Sequence, residues 1–286
     1  MTTEAFTLHL PVHRTSPAVF SSPHSGRAYP AEFLRASQLD PITLRSSEDA
    51  FVDDLFADVP AHGAPLLAAR RPRAWIDLNR APDELDPALI DGVARSAHNP
   101  RIASGLGVIP RVVANGRAIY GGRIARAEAE VRLAQVWHPY HAALKGLLDQ
   151  SRALFGHAVL IDCHSMPHEA IEAHARPGQP RPEVVLGDRF GAAAGADVME
   201  RVEAAFRSAG LRVARNAPFA GAFIAQAYGR PSRGCHVVQV EIDRALYMDE
   251  ALVTRRPDFE AFRRMIAGIA AEICAGAGGA IPLAAE

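Results

Sequence analysis

Four segments of the chain place chemistry-bearing side chains at the ends of apolar runs that read as buried strands. Pro17 to Ser22 (PAVFSS) runs into Pro23-His24-Ser25-Gly26, and Ala74-Trp75-Ile76 leads into Asp77-Leu78-Asn79-Arg80. His157 to Ile161 (HAVLI) ends in Asp162-Cys163-His164-Ser165, and His236 to Ile242 (HVVQVEI) carries Glu241 near its end. Ligands of open α/β sheets bind beyond the carboxyl ends of the strands, so His24, Asn79-Arg80, His164 and Glu241 are the residues to weigh. Two imidazoles and one carboxylate from separate loops, with a position left open for water, are what a catalytic zinc requires; the ion lowers the pKa of water and polarises the carbonyl to be attacked. His24 and His164 can supply the nitrogens, and Asp49 or Glu48 the oxygen. Twelve histidines put some at strand ends by chance, so their neighbours decide. Gly26 permits close backbone approach, and Asp162 can orient a ligand from behind.

The remaining polar residues divide between chemistry and structure. Glu241 sits among Val237, Val238, Val240 and Ile242, where partial desolvation raises a carboxyl toward the range useful for proton transfer; the structural alternative is an ion pair with Arg244. The Arg80 guanidinium matches a carboxylate bidentately and stays charged, with pairing to Asp77 or Asp83 as the alternative. Arg123, Arg126 and Arg244 are candidates for a second carboxylate or a developing oxyanion. Tyr228, in a stretch from Pro218 to Pro231 that contains Gly221 and Gly229, is a candidate for a flap over the site.

The elements that must position these groups alternate. Besides the strands above, Leu66 to Ala69 and Val184 to Leu186 read as strands. Helical patterns follow Ser46-Ser47-Glu48, with Glu48-Asp49 at or near a helix N-terminus. Others run from about Arg123 to Leu154, with Pro139 as a kink or break, from Ala196 to Ser208, and from about Asp258 to Cys274. Strands and helices alternating at this spacing predict an α/β fold, three layers (α/β/α) around a mainly parallel mixed sheet, with residues 1–286 as one domain.

Composition excludes several classes. The chain has 286 residues, 49% of them hydrophobic and 22% charged, ordinary globular values with ample material for a core. Its 31 basic and 32 acidic residues leave a net charge of −1, which supplies no field for nucleic acid or an anionic membrane. Cys163, Cys235 and Cys274 are odd in number and far apart, so neither a disulfide framework nor a thiolate zinc site is encoded. The start lacks a signal-peptide pattern and no apolar run reaches the roughly 18 residues that span a bilayer, so a cytoplasmic protein is expected. Lys145 precedes Gly146 without a glycine-rich loop, which excludes a P-loop, and Gly105-Leu106-Gly107 lacks the third glycine and the preceding strand of a dinucleotide site. The segment from His168 to His174 has Glu172 where an H-E-x-x-H helix needs histidine, and His138 and His141, flanking Pro139, read as packing or capping residues. No G-x-S-x-G occurs.

Taken together and in order, Ser22 to Gly26, Asp49 to Phe56 (DAFVDDLF), Asp77 to Arg80, Ile161 to Pro167 (IDCHSMP), and Gln239 to Arg244 (QVEIDR) followed by Tyr247-Met248-Asp249 resemble the N-formylglutamate amidohydrolases, relatives of the zinc carboxypeptidases and aspartoacylases. The resemblance spans residues 17 to 250. It implies a zinc-carboxypeptidase-like (phosphorylase/hydrolase-like) fold and one Zn2+ held by His24, His164 and a carboxylate, with Glu241 as the general base that activates water. Asn79 and Arg80 resemble the pair with which the wider superfamily grips a substrate carboxylate. One departure matters: relatives take the carboxylate ligand three residues after the first histidine, where this chain has Arg27. Asp49, at the head of the VDDLF segment, is the expected ligand, with Glu48 as the alternative. The implied activity is hydrolysis of the formyl amide of N-formyl-L-glutamate or a close N-acyl amino acid, in histidine degradation. The alternatives are an aspartoacylase-like or carboxypeptidase-like hydrolase, or a non-catalytic metal- or carboxylate-binding protein.

Overall fold

The computed structural model describes residues 1, 3–94, 99–113, 116–172 and 181–278. Seven strands form one sheet: β1 Phe6–His9, β2 Ala18–Ser22, β3 Leu66–Ala69, β4 Ala158–Met166, β5 Val184–Gly187, β6 Val213–Arg215 and β7 Cys235–Asp243, in spatial order β1-β3-β2-β4-β7-β5-β6. β3, β2, β4 and β7 are mutually parallel, β1 runs antiparallel to β3, and β5, with β6 parallel to it, runs antiparallel to β7. β2, β3, β4 and β5 are buried at every position, as near-continuous apolar runs covered on both faces should be.

Alternation along the strands sends side chains to two cores. Phe20, Leu66, Ile161 and Val240 pack with Phe56, the helix Ala196–Ser208 and the helix Phe259–Ala277 on one face. Val19, Leu67, Leu160 and Val237 pack on the other with Trp75, Trp137, Tyr140 and Leu144. This is the expected mainly parallel three-layer architecture. Among the described residues no helix is long and apolar enough to cross a membrane.

Two local readings are corrected. Ala74 to Ile76 is not a strand: Trp75 and Ile76 both donate their N–H to Pro72 O, closing a turn, and its apolar side chains are buried by core packing rather than by a ladder. The helical pattern from Arg123 to Leu154 is realised as Arg126–Arg132, a π-helical stretch Leu133–Trp137 and the helix His138–Phe155. Pro139, lacking an N–H, sits in the first turn of that last helix, and the wide turn ahead of it absorbs the break without ending the rod. Edge strands β1 and β6 escape the apolar pattern because each keeps partly exposed residues.

Candidate metal centre and active-site cavity

β2 connects outward to β3 while the chain returns to β4 on the other side of β2, which makes the carboxyl ends of β2 and β4 a topological switch point. The tight turn that carries His24 beyond β2 depends on glycine: a Cβ on Gly26 would lie 2.1 Å from Arg71 O. The backbone of His24 in turn accepts the N–H of Asp49 at 3.0 Å, which brings that carboxylate to the strand end. Phe51, in the left-handed region at φ 66°, turns the chain from Asp49 into the short helix Val52–Leu55.

His24, Asp49 and His164 are all buried, and one ligand atom of each lies within 4.8 Å of the others. Asp49 Oδ2 is 3.3 Å from His24 Nδ1 and 2.9 Å from His164 Nδ1. The far nitrogens are backed by carboxylates: His24 Nε2 is 2.7 Å from Asp77 Oδ1, and His164 Nε2 is 3.0 Å from Asp162 Oδ2. With Nε2–H donating to Asp77, His24 Nδ1 is left with a lone pair, and it is buried without a hydrogen-bond partner. An orphaned nitrogen, a second imidazole and a carboxylate oxygen facing one point suit a divalent ion of borderline softness, and carboxylates behind both rings are the usual orienting partners of metal-bound histidine. These three residues could hold a metal ion.

Electrostatics agree with that geometry. Burial alone would lower His164, but Asp162 and Asp49 outweigh it and hold the imidazole well above its ordinary range. Burial likewise opposes ionisation of Asp49, yet contacts to His164 and His24 keep it well below the usual carboxylate range. Asp162 and Asp49 thus favour positive charge at His164. Arg244 anchors the cluster from outside, donating Nη2 to Asp49 Oδ1 at 3.0 Å, Nη1 to Ser46 O and Nε to Ser165 Oγ.

Glu241 is directly across from His164 in the β4–β7 register. Its Oε1 accepts Gln239 Nε2 at 2.8 Å, and burial, opposed by His164, pushes its pKa up to about 7. A carboxyl poised there can both take and return a proton near neutrality.

A cavity of about 650 Å³ opens over this group, and His24, Asp49, His164, Glu241, Asn79 and Arg80 all line it. Asn79 is a hub: its Oδ1 accepts Ile224 N at 2.8 Å, while Nδ2 lies 3.2 Å from His164 Nε2 and 3.4 Å from Gln239 Oε1. Arg80 donates Nε to Leu106 O and Nη1 to its neighbour's Asn79 O.

Other expectations are corrected. Arg123 and Arg126 do not line the cavity. Arg123 pairs with Asp91 and donates to Ile90 O, and Arg126 pairs with Glu130 one helical turn on. Glu48 is buried, but its carboxylate is taken by Tyr29 Oη at 2.6 Å and Arg45 Nε at 3.1 Å, apart from the histidines. Tyr228 is not on a flap: it ends the helix Phe223–Tyr228 and bonds His141 Nδ1 at 2.9 Å, while His141 Nε2 donates to Leu78 O. Pro218 to Ala222 nevertheless lines the cavity, with Ala222 N donating to Gln239 Oε1. His168 opens a short helix and meets Asp243 at 2.8 Å; His174, at the end of the false zincin motif, lies outside the described residues. Arg73 escaped the sequence reading. Its Nε donates to Asp77 Oδ2 at 3.0 Å and its guanidinium lines the cavity, a placement that its position four residues before Asp77 could have suggested.

Comparison with known proteins bears on the same residues. The family model described as N-formylglutamate amidohydrolase matches residues 16–248, a span containing every cavity residue named above. The N-formylglutamate deformylase of Pseudomonas aeruginosa is 32% identical over 238 residues, covering 82% of this chain and 83% of that protein. The deformylase of Pseudomonas putida is 30% identical over 237 residues, covering 82% of each. The crystal structure of N-formylglutamate amidohydrolase from Ralstonia eutropha JMP134 superimposes with a TM-score of 0.89 at 36% identity, covering 96% of this chain and 98% of that one. Gene product Atu2144 from Agrobacterium tumefaciens shares the fold at a TM-score of 0.67 and 17% identity, covering 96% and 94%. The chain belongs to the N-formylglutamate amidohydrolase family.

Proposed function

We propose that this protein hydrolyses the formyl amide of N-formyl-L-glutamate to formate and glutamate, at a centre in which His24, Asp49 and His164 hold one divalent ion, zinc by the chemistry of the donors. The observation that carries the reading is the convergence of His24 Nδ1, Asp49 Oδ2 and His164 Nδ1 beside Glu241 in one cavity. The substrate comes from the names of the relatives that share this span.

When bound, such an ion supplies Lewis acidity, acidifying water and polarising a carbonyl. The chain's own groups do the rest. Glu241 accepts a proton from the attacking water and returns it to the departing nitrogen, the two roles a carboxyl with a pKa near 7 can alternate between. Arg73, whose Nε is spent on Asp77, keeps its terminal nitrogens for the developing oxyanion. Arg80 holds a substrate carboxylate. Asn79 ties the loop to His164, Gln239 and Ile224, so it fixes Arg80 relative to the metal group.

The test is formate release from N-formyl-L-glutamate by zinc-loaded protein, with and without chelator, alongside N-acetyl-L-glutamate. The reading expects release with zinc, loss on chelation with recovery on zinc addition, and poor turnover of the acetyl compound. Undiminished release after verified metal removal contradicts it.

A further inference from the structure

We infer that Arg101, held beside Arg80 through Leu106, reads the second carboxylate of a dicarboxylate substrate and so sets the amino-acid specificity of the cavity. This rests on the function proposed above and names the residue that would choose its substrate.

The cavity carries four arginines, and they are not equivalent. Arg244 is spent on Asp49, Ser46 and Ser165, and Arg73 shares a salt bridge with Asp77. Arg80 uses Nε and Nη1 on backbone carbonyls, which neutralise no charge, and its Nη2 has no hydrogen bond among the described residues. The guanidinium of Arg101 has neither hydrogen bond nor ion pair among the described residues, yet it lines the same cavity. Glu84, an acid whose charge also reaches Arg80, has its oxygens on Ala81 N and Asn99 Nδ2. Two cationic side chains therefore face one cavity, and among the described residues neither is ion-paired with a carboxylate. That arrangement costs repulsion until an anion enters.

The pairing is built rather than accidental. Leu106 N donates to the backbone O of Arg101 at 2.8 Å, and Leu106 O accepts Arg80 Nε at 3.0 Å, so one residue ties the Arg80 guanidinium to the turn that carries Arg101. Asn99, itself held by Glu84, caps the turn by accepting Arg101 N at 2.9 Å, and Arg111 donates to Ala103 O. Burial and the positive charges of Arg73 and Arg101 hold Arg80 below the usual arginine range despite the opposing pull of Asp77. A ligand with one carboxylate on Arg80 and a second on Arg101 relieves that repulsion. A ligand with a neutral side chain does not.

Because the Arg101 side chain faces solvent and cavity and makes no hydrogen bond or ion pair among the described residues, Arg101→Gln should fold. The experiment measures kcat/KM for N-formyl-L-glutamate and N-formyl-L-glutamine with wild type, Arg101→Gln and Arg101→Lys, and, independently of turnover, calorimetric binding of glutarate and its monoamide to each zinc-loaded protein. Wild type should prefer the dicarboxylate in both measurements by on the order of tenfold to a hundredfold, the value of a charge-assisted contact. Arg101→Gln should collapse that ratio toward one, mainly through KM, and Arg101→Lys should restore part of it. An unchanged ratio in Arg101→Gln, or equal losses on both ligands, overturns the inference even where wild type is an active deformylase. If wild type releases no formate, the proposed function falls and the glutarate ratio still decides whether Arg101 reads a carboxylate.

Discussion

Asp49 joins both imidazoles to Arg244, since Oδ2 meets the two rings and Oδ1 takes the guanidinium. Glu48, one residue earlier, faces Tyr29 and Arg45. Asp49→Asn should therefore lose most bound zinc and with it formate release, whereas Glu48→Gln should retain zinc; metal analysis of the two purified variants checks this, and equal retention contradicts it. Glu241→Gln separates chemistry from metal binding: zinc stays, and kcat falls about 10² to 10⁴-fold, the range for loss of a general base. The sign of the pH dependence follows from the same carboxyl. Only ionised Glu241 can accept a proton, so kcat/KM should rise with pH through an acid limb at about 7, or below it once a cation occupies the cluster, and the limb should vanish in Glu241→Gln. A pH profile shared unchanged by both proteins would assign the limb elsewhere. At this scale His24, His164 and Glu241 were legible because each follows or ends an apolar run, and Asp49 only through the resemblance of the segment it heads. Arg80 was legible beside Asn79, but Arg73 and Arg101 were not, because thirty arginines look alike in a sequence and only tertiary placement separates these two from Arg123 and Arg126.

At the scale of elements, the loop carrying Asp77, Asn79 and Arg80 is held from behind by the π-helical stretch Leu133–Trp137 and the helix His138–Phe155. Trp137 Nε1 donates to Arg80 O at 3.0 Å, and His141 spans Leu78 O and Tyr228 Oη. Burial, opposed by the bond to Leu78, lowers the His141 pKa to about 4, so the folded protein holds this ring neutral. The unfolded chain binds a proton below about 6.5 and the folded chain does not until about 4, so folding stability should fall as pH drops across that window. The loss reaches about 3 kcal/mol at its lower end. An NMR titration of the His141 imidazole checks this: it should stay neutral to below pH 5, and titration near 6.5 contradicts it. The same loop shows why Ala74 to Ile76 misled. A run of apolar residues states that a segment is buried, and burial in a turn against Trp137 and its neighbours satisfies that as well as burial in a sheet does.

For the whole molecule, a net charge of −1 hides a sharply divided interior: a carboxylate-rich centre at the ends of β2, β4 and β7, and a cationic wall on the same cavity. The fold was legible because its inner strands are covered on both faces and read as unbroken apolar runs, and because crossovers between parallel strands demand helices. The edge strands were not, since a half-exposed strand of three or four residues carries little pattern.

His24 and His164, about 140 positions apart in sequence, are proposed to form one metal centre through their Nδ1 atoms. Anomalous diffraction at the zinc edge from crystals of the zinc-loaded protein tests it most directly. One ion is expected at roughly 2.0–2.2 Å from His24 Nδ1, His164 Nδ1 and an Asp49 oxygen, with Glu241 alongside and not ligating. An ion bound elsewhere, or none at this position in protein that releases formate, would contradict the proposal.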